Sequence, residues 1–181
     1  MRQSILFFDI DGTLLSDKTG KIPDSALEAL AEAKKNGHLL FINTGRTVCA
    51  LPKELYQFEF DGYLCGCGSY LLFHEEVLLE SHIEEACGQK YIEQMRECGL
   101  DGVLEGTEDL YFPKKVSRFE KLEQGRHYFG QLGLGKKKYI EEGGFLYDKI
   151  FVYADEQSEK ERFFSSDGRC VCGDRPGRKY I

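Results

Sequence analysis

The most informative stretch of this chain is Ile5-Leu6-Phe7-Phe8-Asp9-Ile10-Asp11-Gly12-Thr13-Leu14-Leu15. Its apolar run leads directly into two carboxylates, and a short continuous apolar run is typical of a parallel-sheet strand buried on both faces. Open α/β sheets bind their ligands beyond the carboxyl ends of such strands. Because side chains two apart in an extended segment point the same way, Asp9 and Asp11 can converge on one point. A divalent cation there would relieve their repulsion, and Gly12 would let the backbone approach a ligand closely.

A second apolar run, His38–Ile42, follows after a predicted helix. The helix opens at residues 23–25, carries Ser25 and Glu28 at capping-box spacing, and ends at Asn36-Gly37. A strand, a crossover helix and a second strand form a βαβ unit, in which the two strands are parallel and the connection is right-handed. The amino-terminal residues therefore predict a parallel sheet.

The second run ends in a turn that suits a phosphate group. Thr44, Gly45 and Arg46 supply a hydroxyl, a backbone amide and a guanidinium, and a helix is expected to begin near Thr47. In a parallel pair these residues lie at the same sheet edge as Asp9. A solvated Asp-rich turn is the simpler interpretation of the first motif. That interpretation explains neither the position of Asp9 at the end of a buried run nor the second motif.

The two motifs together, Asp9–Leu15 and Thr44-Gly45-Arg46, resemble those of the haloacid dehalogenase superfamily. More narrowly, the chain is similar to the Cof-type phosphatases, which carry a class IIB cap. The resemblance implies an α/β fold: a Rossmannoid parallel-sheet core with an inserted α+β cap domain. We expect residues 1–81 to hold the amino-terminal part of the core, with its first three strands, and residues 82–181 to form the cap.

The resemblance also implies roles for individual residues. Asp9 would be the nucleophile that becomes an aspartyl-phosphate, and Asp11 would be the general acid and base. Both would contribute to a site for the required Mg²⁺. To help a leaving alkoxide, Asp11 would need a pKa above that of free aspartate in the working complex. The residues expected to bind phosphate or substrate lie in the same two turns: Gly12, Thr44, Gly45 and Arg46.

The rest of the chain is predicted as short strands and amphipathic helices. A small hairpin flap is expected within residues 14–22. Strands are expected at residues 63–65, 103–105, 110–112, 149–153, 170–172 and 178–181. Helices are expected at residues 83–98, 118–132 and 156–164. The third strand is followed by Cys67-Gly68-Ser69, where the family usually has Asn-Gly-Ala.

In the family, the chain after the cap returns to the core with a lysine and a G-D-x-x-N-D loop. Gly173-Asp174 is followed by Arg175-Pro176-Gly177 and is interpreted as a hairpin turn rather than that loop. We therefore expect these 181 residues to lack the last third of a full-length relative and to be weak or inactive alone. Without flanking strands, Ile5–Phe8 would be an open apolar edge, which favours self-association.

Composition excludes several classes of protein. A net charge of −7 and a pI of about 5.2 argue against a nucleic-acid surface. No apolar run has the length of a membrane span, and the amino terminus lacks a signal-peptide pattern. Seven cysteines without secretory context indicate reduced thiols in the cytoplasm. The pairs Cys65/Cys67 and Cys170/Cys172 have spacing that is ordinary in strands.

The sequence thus favours a Mg²⁺-dependent phosphoric monoester hydrolase that acts on a small phosphorylated metabolite, such as a sugar phosphate. A phosphomutase is the alternative within the same chemistry, since it would share the aspartyl-phosphate. A non-catalytic protein that binds phosphorylated metabolites is the alternative outside enzymology.

Overall fold

The computed structural model describes residues 2–165. In chain order the strands and α-helices are β1 (Ile5–Phe8), α1 (Asp24–Lys35), β2 (Leu39–Asn43), β3 (Gly62–Cys65), β4 (Tyr70–Phe73), β5 (Glu76–Glu80), α2 (Glu85–Glu97), β6 (Asp101–Glu105), β7 (Leu110–Tyr111), α3 (Glu120–Gln131), β8 (Lys149–Tyr153) and α4 (Lys160–Ser165). The strands predicted at 170–172 and 178–181, and the turn between them, lie outside the described residues.

The chain divides into two compact units. The first contains the residues up to Ser81 together with the short segment Gly106–Glu108. The second contains His82–Glu105 and the chain from Asp109 onward. Each unit has its own sheet and its own buried apolar cluster.

The first unit contains a sheet of five strands in the order β1-β2-β3-β4-β5. β1, β2 and β3 are parallel, and Phe8 lies opposite Ile42 in the register of the first pair. The predicted βαβ unit is therefore confirmed. β4 and β5 extend the sheet as an antiparallel hairpin that the sequence did not predict.

One face of this sheet carries the core of the first unit. Leu40, Ile42 and Ile10 are fully buried there, and Leu30 on α1 packs in the same cluster. The other face is partly open, since Phe7 on β1 is 54% exposed. Within the described residues β1 ends the sheet, as expected for an open edge.

The second unit is a three-stranded antiparallel sheet, in the order β7-β6-β8. Ile92 on α2 packs in a cluster with Leu104 on β6, and Met95 on α2 packs with Ile150 on β8. This combination of helices and an antiparallel sheet agrees with the expected α+β architecture. Among the helices within residues 2–165, none has both the length and the apolar character that crossing a membrane requires.

Two local predictions at the helices of the first unit were wrong. Ser25 and Glu28 form no capping box, because α1 begins at Asp24 with Pro23 at the N-cap and Ser25 lies inside the first turn. In place of a helix near Thr47 there are two short 3₁₀ turns, Val48–Ala50 and Lys53–Gln57. Pro52 separates them, and proline disfavours helical backbone at the preceding residue.

Two further predictions were also inaccurate. Residues 14–22 contain a turn closed by a hydrogen bond from the Ser16 N–H to the Lys21 carbonyl, at 3.1 Å, without assigned strands. α4 begins at Lys160 rather than 156. The reason is a side-chain turn at Asp155, whose backbone N–H donates to Ser158 Oγ at 3.0 Å.

Candidate active site

The first turn of the candidate site follows directly after β1. Ile10 is fully buried, whereas Asp9 and Asp11 on either side of it are exposed. Gly12 has a φ of +73°, a left-handed conformation that glycine adopts without strain. The chain then folds back, and the Leu14 N–H donates to the Asp9 carbonyl at 3.3 Å. Both carboxylates are thus exposed on either side of a buried residue, at the start of this turn.

The second turn follows β2 and is built around Thr44, which is 4% exposed. Its backbone N–H donates to the carbonyl of Leu64 on β3, at 2.9 Å. Its hydroxyl oxygen accepts the backbone N–H of Arg46, at 3.2 Å. A hydroxyl that accepts one hydrogen bond keeps its own hydrogen to donate. The neighbouring strand and the turn itself therefore fix the position of Thr44 at the carboxyl edge of the sheet.

A third turn, which the sequence analysis did not place in the site, lies against the second. The Gly66 N–H donates to the Arg46 carbonyl at 2.8 Å, and the Cys67 N–H donates to the Thr44 carbonyl at 3.3 Å. The Cys67 side chain is exposed, and its sulfur would lie 3.4 Å from a Cβ added at Gly45. The density of glycines around Cys67 was the available signal, because close packing of backbones often requires them.

Arg46 and Asp11 join the first two turns by a two-point ion pair. Arg46 Nε donates to Asp11 Oδ2 at 2.9 Å, and Arg46 Nη2 donates to Asp11 Oδ1 at 2.8 Å. Arg46 Nη1 also donates to the Ala50 carbonyl at 3.2 Å. The structure thus brings together two of the predicted site residues, although no sequence pattern indicated that they would pair.

This pairing favours the ionised form of Asp11. The hydrogen bonds from Arg46 lower the pKa of Asp11 below its ordinary value; partial burial opposes this effect, and the positive charge of Arg46 adds to it. The direction is opposite to the raised pKa expected for a proton donor in the working complex. Asp11 is therefore ionised at neutral pH while Arg46 holds it.

The carboxylates of the site are suitable ligands for Mg²⁺, but they are few. Carboxylate oxygens suit this ion, which commonly uses one or two carboxylates and takes its remaining ligands from water and substrate phosphates. Within residues 2–165 there is no group of three or more His, Cys, Asp or Glu side chains that could hold a metal. Since Arg46 engages both carboxylate oxygens of Asp11, Asp9 is the carboxylate better placed to bind a cation.

The chain matches one known protein family over most of its length. The model of the haloacid dehalogenase-like hydrolases matches residues 6–169, which is most of the chain. The match includes both turns that carry the predicted site residues.

Two curated bacterial proteins are similar in sequence. Pyridoxal phosphate phosphatase YbhA of Escherichia coli (strain K12) is 36% identical over 107 residues, which cover 58% of this chain and 39% of YbhA. The Bacillus subtilis (strain 168) protein YkrA, itself named only provisionally as a phosphatase, is 22% identical over 165 residues, which cover 88% of this chain and 61% of YkrA.

Among solved structures, the HAD subclass IIB sugar phosphatase BT4131 superposes with a TM-score of 0.71 at 25% identity. The match covers 91% of this chain and 63% of that chain. The chain therefore spans less than two thirds of the length of each of these three relatives.

Proposed function

Because the chain belongs to the haloacid dehalogenase-like hydrolases, we propose that it contributes the nucleophile and the phosphate-binding turns of a Mg²⁺-dependent phosphatase. The observation that carries the proposal is the meeting of two turns at one sheet edge. Asp9 and Asp11 follow β1, Thr44 and Arg46 follow the parallel strand β2, and Arg46 reaches back to Asp11.

The proposed reaction proceeds in two steps through Asp9. In the first step an oxygen of the Asp9 carboxylate bonds to phosphorus, and the bond from phosphorus to the ester oxygen breaks. In the second step a water oxygen bonds to phosphorus and the bond to Asp9 breaks, which releases inorganic phosphate. A carboxylate is a weak nucleophile, but two steps allow a neighbouring acid or base to assist each one.

Asp11 would transfer the proton in both steps. It would donate a proton to the leaving alkoxide and later accept one from the attacking water. Because Arg46 lowers the pKa of Asp11, this role requires Arg46 to release the carboxylate when substrate is bound.

The second turn would hold the phosphoryl group. The Thr44 hydroxyl, the Gly45 amide and the Arg46 guanidinium would each donate to phosphate oxygens, and Gly12 would let the backbone of the first turn approach the group closely. Positioning and charge neutralisation account for most of the catalysis of phosphoryl transfer. Asp9, with a backbone carbonyl of the first turn, would bind Mg²⁺. When bound, the ion would reduce the repulsion between the negative charges of the carboxylate and the phosphate.

The proposed substrate is a small phosphorylated metabolite. YbhA is named for pyridoxal phosphate and BT4131 for sugar phosphates, and both ligands are small phosphate monoesters. These two compounds are the first substrates to test with this chain.

The decisive experiment detects phosphate on Asp9 as well as turnover. The 181-residue chain is incubated with p-nitrophenyl phosphate and Mg²⁺. Nitrophenol release is followed by absorbance, and the intact mass of the protein is measured after rapid quenching. We expect slow turnover and a hydroxylamine-sensitive phosphate adduct on the wild-type chain.

The Asp9→Asn variant should lose the adduct and at least about 10³-fold of the rate, since loss of a nucleophile is among the costliest changes in an enzyme. Asp24→Asn serves as the matched control, because it removes the same charge from the exposed start of α1. Wild-type turnover by Asp9→Asn, or the absence of any adduct on the wild-type chain, would overturn the proposal.

A further inference from the structure

The ion pair between Asp11 and Arg46 carries an inference beyond the roles assigned above. We propose that Asp11 and a phosphoryl dianion compete for the guanidinium of Arg46, so that the anion binds by displacing Asp11. Arg46 then holds Asp11 only while the site is free of the anion, and it selects dianionic ligands. The inference rests on the proposed function only for the identity of the anion.

The geometry makes the competition direct. Asp11 occupies Nε and Nη2 of Arg46, at 2.9 and 2.8 Å, which together form the fork that carboxylates and phosphates bind by two parallel hydrogen bonds. Nη1 is engaged by the Ala50 carbonyl at 3.2 Å, which anchors the guanidinium at its other end. A phosphate that binds the fork must therefore take the place of Asp11.

The exposure of the pair makes the exchange easy. The Arg46 side chain is 28% exposed and that of Asp11 is 57% exposed. A pair this accessible to water changes an equilibrium constant by up to about fivefold. A phosphate dianion carries twice the charge of a carboxylate and has more acceptor oxygens, so it can displace Asp11. A monoanionic ligand offers Arg46 no more than Asp11 already does, which favours dianions.

The second turn adds a donor that Asp11 does not use. The Thr44 hydroxyl accepts the Arg46 N–H at 3.2 Å and keeps its own hydrogen to donate. An arriving phosphate therefore meets one fixed donor at Thr44 and one shared donor at Arg46. Phosphate binding to Arg46 requires the release of Asp11, whereas phosphate binding to Thr44 does not.

A double-mutant cycle on phosphate binding tests the competition without turnover. The dissociation constant of inorganic phosphate is measured by calorimetry for the wild-type chain, Asp11→Asn, Arg46→Gln and the double variant, at fixed ionic strength and pH. Loss of the Asp11 charge should tighten binding in both backgrounds. If Asp11 and phosphate compete for Arg46, Asp11→Asn should increase the phosphate affinity by a further factor, and only when Arg46 is present. We expect Asp11→Asn to tighten phosphate binding by about fivefold more with Arg46 than with glutamine at that position.

A spectroscopic measurement separates this role from a purely structural one. The Nε–H signal of Arg46 in nitrogen-15 NMR, assigned by its loss in Arg46→Lys, should move when phosphate is added. It should also move in Asp11→Asn without phosphate. Glu141→Gln is the matched control, because it breaks a similarly exposed pair with Arg96, at 2.9 Å in the second unit. That variant should leave the phosphate affinity unchanged.

The outcomes distinguish this inference from the proposed function. If phosphate binds but Asp11→Asn has the same effect in both backgrounds, the competition is refuted, while an adduct on Asp9 would still support the phosphatase. If neither phosphate binding nor an adduct on Asp9 is found, both proposals fall. The competition is supported if Asp11→Asn tightens phosphate binding more with Arg46 than with glutamine at that position, and if the Arg46 signal also shifts.

Discussion

Substitution of Gly62 by alanine should strongly destabilise the sheet that carries the candidate site. A Cβ at this position would lie 2.1 Å from Cε1 of Phe41 and 2.6 Å from the carbonyl oxygen of Leu72. Ordinary contacts of a Cβ are about 3.5–4 Å, so one neighbour must move by more than about 1 Å. Gly62 lies on β3 between β2 and β4, and the close approach explains why this strand begins with glycine.

Neither neighbour can move easily. Phe41 is 7% exposed, and its ring stacks on that of Phe73 with centroids 5.7 Å apart. The Leu72 oxygen belongs to the backbone of β4, which pairs with β3. Overpacking of this kind costs about 1–3 kcal/mol, and two rigid neighbours place Gly62→Ala near the upper end. The lower chain entropy of unfolded alanine returns about 0.4–1 kcal/mol, which leaves a net loss of roughly 2 kcal/mol.

The assay is urea unfolding of the full chain, followed by circular dichroism. Gly125→Ala is the matched control. Gly125 lies inside α3, and a Cβ there would meet nothing closer than the Tyr153 hydroxyl at 3.9 Å. That substitution should stabilise the second unit by about 0.5–1 kcal/mol, since alanine favours helix over glycine. If both variants shifted the unfolding free energy in the same direction, packing around Gly62 would not be the controlling term.

Two other features of the first unit give measurable outcomes. Burial raises the pKa of Cys65 to about 12, so this thiol should resist Ellman's reagent in the native chain. The exposed thiol of Cys67 should react rapidly. Equal reaction rates of the two thiols would contradict the burial of Cys65. Because unfolded cysteine ionises near pH 9, the neutral Cys65 stabilises the fold below that pH. This contribution should fall by up to about 1.4 kcal/mol per pH unit as pH rises from 9 toward 12, measured by the urea midpoint. At the open edge of β1, we expect the wild-type chain to gain mass with concentration in sedimentation. Phe7→Lys should reduce that gain, whereas Val77→Lys on β5 should not; the absence of a gain, or a gain that Phe7→Lys leaves unchanged, would refute pairing through β1.

The sequence predicted the regular parts of the fold because their signals are local. The apolar runs of β1 and β2 and the glycine-terminated helix between them identify a βαβ unit without any tertiary information. The family relationship predicted from the two motifs is confirmed by the match to residues 6–169. The β4–β5 hairpin was missed because its turn lacks the usual Asn-Gly or Asp-Gly signal. His74 takes the left-handed position instead, with a φ of +50°.

The candidate site was predictable in its residue types but not in its contacts. Asp9, Asp11 and Arg46 stand out because carboxylates and an arginine follow apolar runs, although β1 itself is half exposed rather than buried on both faces as predicted. The pairing of Asp11 with Arg46 joins residues 35 positions apart and depends on side-chain rotamers, which no sequence pattern specifies. The approach of Cys67 to Gly45 likewise depends on how the third turn folds over the second.

The environments of the two carboxylates offer a physical basis for the different roles proposed for them. Within residues 2–165, no hydrogen bond or ion pair holds the Asp9 carboxylate, whereas both oxygens of Asp11 are bound by Arg46. Chemically identical carboxylates differ in their availability to a ligand when an arginine holds one of them and not the other. Here the difference comes from Arg46, in the turn after β2, and not from the D-x-D spacing itself. We therefore expect an arginine in the second motif to do more than attract an anion, because in the absence of phosphate it holds one of the two carboxylates and leaves the other unbound.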